Sequence, residues 1–241
     1  VTPRLLRHRT AGAAVAALAS VAVLGGCSLS PSVTAGTASA RTADAERVVA
    51  AESEWSAVRV SVIGDSFSAG SMNDVVWPDV LAEEHGFEVT NASLGGAGYE
   101  AGDDYLGTFA DQVAYATEEN PTVILVVGSE NDVDADPADV LADATDLYAS
   151  LRERSPEAHI VVIGPIWSGE PVSEEMWDVD AAVSAAAVSA GLDYVDALPQ
   201  EWLADPLIIQ DDGDHPTDEG QYLLAGHIDD ALMQVDPDLL G

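Results

Sequence analysis

The sequence predicts an α/β fold in three layers, α/β/α, around a five-stranded parallel sheet. Three observations predict it. Five short runs rich in β-branched residues recur between residues 58 and 197, helical segments fall between them, and two of the runs are continuously apolar. A strand with one wet face alternates apolar and polar residues, whereas an unbroken apolar run suits a strand covered on both faces. Strand and helix alternating five times over then give a parallel sheet flanked by helices.

The runs are "VRVSVIG" (58–64), "FEVTNAS" (87–93), "TVILVVG" (122–128), "HIVVIGP" (159–165) and "LDYVDA" (192–197). The third and fourth are the continuously apolar pair. The clearest helix lies in "DADPADVLADATDLYASLRERSP". Asp136 is placed to cap it, Pro137 fits a first turn that needs no N–H, and Pro156 stops it. Val140, Leu141, Ala144, Leu147, Tyr148 and Leu151 fall on one predicted face. The last helix lies in "TDEGQYLLAGHIDDALMQV", with Leu224, Ile228, Ala231 and Leu232 expected inward.

At 241 residues the chain is long enough for one well-buried domain with length left over. Acids number 43 against eight bases, and every base is Arg. Nucleic-acid binding is therefore not expected, because no basic stripe exists to replace phosphate counterions. The charge reads as a soluble, self-repelling surface that disfavours anionic polymers as substrates.

The first residues point to export. "RLLRHR" is a basic start, and "AGAAVAALASVAVL" (11–24) is an apolar run too short to span a membrane comfortably. "LGGC" (24–27) follows and holds the only cysteine, Cys27. Leu, two small residues and Cys resemble the bacterial lipobox, in which cleavage leaves a lipid-modified N-terminal Cys. Residues 1–26 are thus expected to be a lipoprotein signal peptide. Residues 27–56, rich in Ser, Thr and Ala, are expected to be a flexible tether, and residues 57–241 the folded domain. The expected location is the outer face of a bacterial cell membrane, held by the lipid anchor.

In open parallel sheets chemistry gathers at the carboxyl ends of strands. After the first strand stands "GDSFSAG" (64–70), which places Ser66 where strand passes to helix; alone, the triplet is as readily an ordinary turn or cap. After the second comes "NASLGGAG" (91–98), whose paired glycines make a turn or let a backbone N–H approach a ligand. After the third comes "GSEND" (128–132), offering the amide of Asn131. Before the last helix, "DDGDHP" sets Asp212 three residues ahead of His215.

Together these four blocks resemble the SGNH, or GDSL-type, hydrolase family over about residues 58–236. Each block is weak, but their ordered coincidence is specific. The resemblance implies a flavodoxin-like arrangement of the sheet. It implies Ser66 as nucleophile, His215 as general base and Asp212 as the carboxylate orienting the imidazole. It implies an oxyanion hole made of the Ser66 N–H, the Gly96 N–H and the Asn131 side chain, with Gly95 left open as a substitute for Gly96. It also implies work without a metal or organic cofactor. One departure stands out: the family's third block is Gly-x-Asn-Asp, and here Ser129 stands two before Asn131, with the glycine one place earlier.

The expected activity is a serine esterase acting on a small ester or an acylated glycan, with short acyl or O-acetyl groups favoured because no long apolar lid is present. A non-catalytic binding lipoprotein on the same fold and an acyltransferase are the alternatives. Other signals carry less. Asp132, Asp134 and Asp136 alternate as in a calcium loop, but Pro137 and Asp143 stand where that loop needs Gly and Glu. Ser68 is a second hydroxyl with no motif behind it. Trp167 and Tyr99 read as pocket walls or as loop packing. His85, His159 and His227 read as surface or packing residues. Asp211, Asp214, Asp218 and Glu219 read as loop solvation and helix-start charge.

Overall fold

The computed structural model describes residues 58–102, 107–168 and 171–241. The expected signal peptide, Cys27 and the expected tether lie outside the described residues. Five strands form the sheet: β1 (Arg59–Gly64), β2 (Glu88–Asn91), β3 (Val123–Val127), β4 (His159–Ile163) and β5 (Asp193–Val195). Six helices join them: α1 (Ser66–Ala69), α2 (Trp77–His85), α3 (Phe109–Ala116), α4 (Pro137–Arg154), α5 (Glu174–Ala190) and α6 (Asp218–Val235). The strand order is β2-β1-β3-β4-β5 and every pairing is parallel. The expected three-layer α/β sandwich is the observed one.

Each strand feeds two cores because successive side chains point to opposite faces. Val60, Val62, Val123, Leu125, Val127, Val161 and Ile163 pack toward α2 and α6, where Trp77, Leu81, Leu224, Ile228 and Leu232 meet them. Ile63, Ile124, Val126, Ile160 and Val162 pack toward α3, α4 and α5, against Phe109, Leu147, Tyr148, Leu151, Met176 and Val183. All five residues of β3 are buried, as a central strand covered on both faces requires.

In α4, the Asp136 carboxylate accepts the Ala138 N–H at 2.9 Å, Pro137 opens the helix, and Arg152 and Arg154 stand in its last turn. Val140, Ala144, Leu147, Tyr148 and Leu151 are buried. Leu141 is a correction: it is 39% exposed. It stands at the edge of the apolar stripe, next to Val140 but turned a full helical step toward solvent. Leu224, Ile228, Ala231 and Leu232 of α6 all face inward as expected.

A long-range contact closes the carboxyl end of β1. The buried Gln112 of α3 accepts the Gly64 N–H at 2.9 Å and donates to the Gly64 carbonyl at 2.8 Å. That carbonyl also accepts the Leu94 N–H at 3.1 Å. Gln112→Leu leaves the buried Gly64 N–H without this partner, so the unfolding free energy from urea denaturation should fall by roughly 1–3 kcal/mol. An unchanged urea midpoint would refute the role given to this side chain.

Candidate active site

The carboxyl end of the sheet collects all four sequence blocks. Gly64 ends β1, Asp65 caps α1, and Ser66 takes the first helical position, where a backbone N–H has no intrahelical partner. This short turn is held from three directions. The Asp65 carboxylate accepts the Phe67 N–H at 2.9 Å, Gln221 of α6 donates to the Phe67 carbonyl at 3.0 Å, and Asn91 donates to the Ser68 carbonyl at 2.7 Å. Ser66 is partly exposed. Ser68 is fully buried and its hydroxyl accepts the Trp77 indole N–H at 3.1 Å, so packing occupies the second hydroxyl.

The histidine loop stands opposite. His215 Nδ1 and Asp212 Oδ2 lie 2.9 Å apart, and Asp212 Oδ1 accepts the N–H groups of Asp214 and His215, each at 3.1 Å. The Asp214 N–H, then the His215 ring, hold the Asp212 carboxyl below the usual carboxylate range. The loop is tied down where Gln210 donates to the Ser71 and Pro216 carbonyls at 2.7 and 2.8 Å. The ring of Phe67, directly after Ser66, meets the His215 ring edge-on, with centroids 6.1 Å apart. The turn carrying Ser66 and the imidazole therefore share one contact surface.

The two remaining blocks interlock. Gly95 lies against Ser66, since a Cβ built on it would stand 3.8 Å from the Ser66 Cβ. Gly96 takes a left-handed backbone at φ 77°. Asn131, in a 3-10 turn (Glu130–Asp134), donates from Nδ2 to the Ala97 carbonyl at 2.9 Å. Ser129 works as a cap: its hydroxyl donates to Ala97 O and accepts the Asn131 N–H, both at 2.9 Å. The departure from Gly-x-Asn-Asp thus adds bonds that place Asn131. The glycine one residue earlier is also needed. Gly128 has φ 119°, and a Cβ there would stand 2.8 Å from Asp65 Oδ2.

Several acids of the site had weak signals or were given another role in the sequence. Asp132, fully buried, accepts the N–H groups of Tyr99, Glu100 and Ala101 at 2.8, 3.0 and 2.8 Å. Burial still pushes its carboxyl up, against those three donors. Gly98 is required beside it, because any Cβ would collide with the carboxylate. Asp214 is a correction to its reading as solvation: its Oδ1 accepts the Ser168 hydroxyl at 3.0 Å, and its Oδ2 lies 3.7 Å from His215 Nδ1. Asp218 accepts from the Asn73 amide and the Asp74 N–H besides opening α6. Gln112 and Gln221 carried no sequence signal, because both act through partners more than 40 residues away.

The other signals resolve into packing. Tyr99 is buried with its hydroxyl 2.8 Å from that of Tyr148, and Trp167 packs at the edge of the same core. His85 pairs with Asp229 at 2.8 Å, His159 with Asp193 at 2.7 Å, and His227 stacks on Trp202. A cavity of about 260 Å³ opens beside the histidine loop, lined by Ser168, Leu203, Pro206, Ile209 and Gly213 among others.

Burial pushes Asp65 up to about 7 from its ordinary 3.8, offset in part by the Phe67 N–H and Ser129. Between those values the folded chain keeps a proton that the unfolded chain has released. Stability from this group therefore falls as pH rises through the window. Asp65→Asn should flatten that dependence relative to the parent protein in unfolding curves taken from about pH 4 to pH 7. Parallel slopes for the two proteins would show that Asp65 ionises normally.

Comparison with known proteins agrees with this arrangement. Residues 62–223 match the model of the GDSL-like Lipase/Acylhydrolase family. A GDSL lipase of Mycobacterium tuberculosis is 32% identical over 182 residues, covering 70% of this chain and 79% of that protein. The fold is similar to that of the psychrotrophic esterase EstA from Pseudoalteromonas sp., at TM-score 0.60 and 16% identity over 73% of this chain and 97% of that one. It is also similar to the lipase/acylhydrolase from Enterococcus faecalis, at TM-score 0.54 and 18% identity over 71% and 93%. A family two carbohydrate esterase from Clostridium thermocellum, solved with cellohexaose, matches at TM-score 0.61 and 13% identity over 74% of this chain and 64% of that one. With four ordered blocks on the expected strand ends and a family match across most of the folded part, the chain belongs to the GDSL-like lipase/acylhydrolase family of ester hydrolases.

Proposed function

We propose that this protein is a serine esterase that cleaves carboxylic esters through an acyl-enzyme on Ser66. The observation that carries the reading is the His215–Asp212 contact at 2.9 Å on a loop whose imidazole packs against the residue following Ser66. With Nδ1–H donated to Asp212, Nε2 is left unprotonated and able to take a proton. Ser66 Oγ attacks the ester carbonyl while its proton passes to His215 Nε2. The tetrahedral oxyanion is met by the Ser66 N–H, the Gly96 N–H and Asn131 Nδ2. An amide nitrogen carries two hydrogens; Asn131 gives one to Ala97 O and keeps the other for the oxyanion. Collapse expels the alcohol, which receives the proton from His215, and water then repeats the sequence on the acyl-enzyme.

Short acyl esters, O-acetyl groups on glycans among them, are the substrate class we favour. The structural kinship to a carbohydrate esterase supports this. The bonds that Ser129 makes around Asn131 support a working oxyanion hole over a purely binding role. Export with lipidation at Cys27 completes the proposal and rests on the sequence of residues 1–27.

Two experiments test it. Turnover of p-nitrophenyl acetate should drop by at least about 10³-fold in Ser66→Ala and by about 10⁴-fold in Asp212→Asn, with KM little changed in the latter. Parental rates in Ser66→Ala would remove the esterase reading. In a bacterial host, Cys27→Ser should move the protein from the membrane fraction to the soluble fraction, and unchanged fractionation would remove the anchor.

A further inference from the structure

The acids around the site include a partly buried one, Glu130, that the proposed mechanism does not use. It precedes Asn131 in the 3-10 turn, while Asp214 precedes His215 in the other loop. Their carboxyl groups meet over Ser168. The Ser168 hydroxyl donates to Asp214 Oδ1 at 3.0 Å and lies 3.4 Å from Glu130 Oε2, which also faces the Ser168 N–H at 3.4 Å. We propose that Glu130 is a positioning residue of the catalytic centre: as a neutral acid it donates to Asp214 and so ties the turn carrying Asn131 to the loop carrying His215. The inference rests on the esterase reading of that centre.

The chemistry of the contact requires a proton. Two carboxylates drawn onto one hydroxyl repel, whereas a carboxylic acid and a carboxylate share a strong, charge-assisted hydrogen bond. Glu130 is the member that holds the proton. Burial comes first, followed by the bond to Asp214, the Asp214 charge and the Asp65 charge, and together they push its carboxyl up to about 10. Asp214 faces it from the histidine loop and Asp65 from the end of β1, with His215 behind Asp214. Helix α5 also packs against the turn, and the acid it buries, Asp180, is already engaged by the Tyr194 hydroxyl at 2.5 Å.

The tie has a consequence for the imidazole. His215 Nδ1 has two carboxylates in range, Asp212 at 2.9 Å and Asp214 at 3.7 Å. A proton donated by Glu130 draws the Asp214 charge away from the ring and leaves Asp212 as its partner. When Glu130 ionises, the second negative charge breaks the tie and frees Asp214 to compete. The aim of Nε2 toward Ser66 and the placement of Asn131 then loosen together. Protonated Glu130 is the competent form, so turnover falls as pH rises through its ionisation.

The test measures kcat and KM for p-nitrophenyl acetate on the purified full chain from about pH 6 to pH 10.5, corrected for spontaneous hydrolysis. Glu130→Gln, Glu130→Ala and Ser66→Ala are compared with the parent protein, each checked for folding by thermal melting. Glutamine donates an N–H at every pH. Glu130→Gln should therefore keep kcat within about threefold of the parent at pH 7 and stay flat where the parent declines at alkaline pH. Glu130→Ala should lose kcat by about tenfold or more with KM little changed. Parental kcat in folded Glu130→Ala overturns the positioning role. So does an alkaline decline in Glu130→Gln equal to that of the parent, a comparison that survives if the alanine variant fails to fold. These two results leave the esterase reading standing when Ser66→Ala is inactive. Parental rates in Ser66→Ala instead overturn that reading, and this inference with it.

Discussion

Asp65, buried at the end of β1, joins two parts of the site's scaffold, the turn that carries Ser66 and the end of β3. One oxygen accepts the N–H of Phe67 and so sets the turn that presents Ser66. The other fills the space that any side chain at residue 128 would need, which brings the end of β3 close and starts the turn carrying Asn131. A carboxyl in this place is costly to ionise, and it is retained because it joins two strand ends that no apolar group of its size would join. Ser66 is thus positioned by a polar constraint inside an otherwise apolar sheet.

The acids beneath the site face a shortage of cations. The chain has eight arginines and no lysine against 43 acids, so carboxyls around the site must be satisfied by other means. Three means are visible. Asp132 collects three backbone N–H groups, Asp212 collects two and the imidazole, and Glu130 keeps its proton. The donors around Asp212 favour its charged form beside the imidazole. The third means removes a charge where two would repel. In an acidic protein this division of labour stands in for ion pairs with basic side chains.

The fold and the chemistry are connected through the carboxyl edge of the sheet. A parallel sheet apolar on both faces leaves its polar work to the strand ends, and here four loops converge there from β1, β2, β3 and the segment before α6. The glutamines are the long-range fasteners. Gln112 reaches from α3 to Gly64, and Gln221 reaches from α6 to Phe67 and Trp77, one from each side of the sheet. Each satisfies backbone groups that the sharp strand-to-helix turn leaves outside regular pairing.

By itself the sequence determined what depends on local pattern. Unbroken apolar runs marked β3 and β4, Asp136 and Pro137 marked the start of α4, and the spacing in "DDGDHP" placed Asp212 beside His215. These follow from periodicity, capping and short loops, which neighbours in the chain decide among themselves. Tertiary structure decided the rest. It turned Leu141 outward, gave the Ser68 hydroxyl to Trp77, and enlisted Asp214 and Glu130 in one contact although 84 residues separate them. It also found uses for Gln112 and Gln221 that no local pattern announces. Whether a polar side chain is solvated, buried or partnered is set by what the fold brings against it from distant segments, and that information lies in no single stretch of chain.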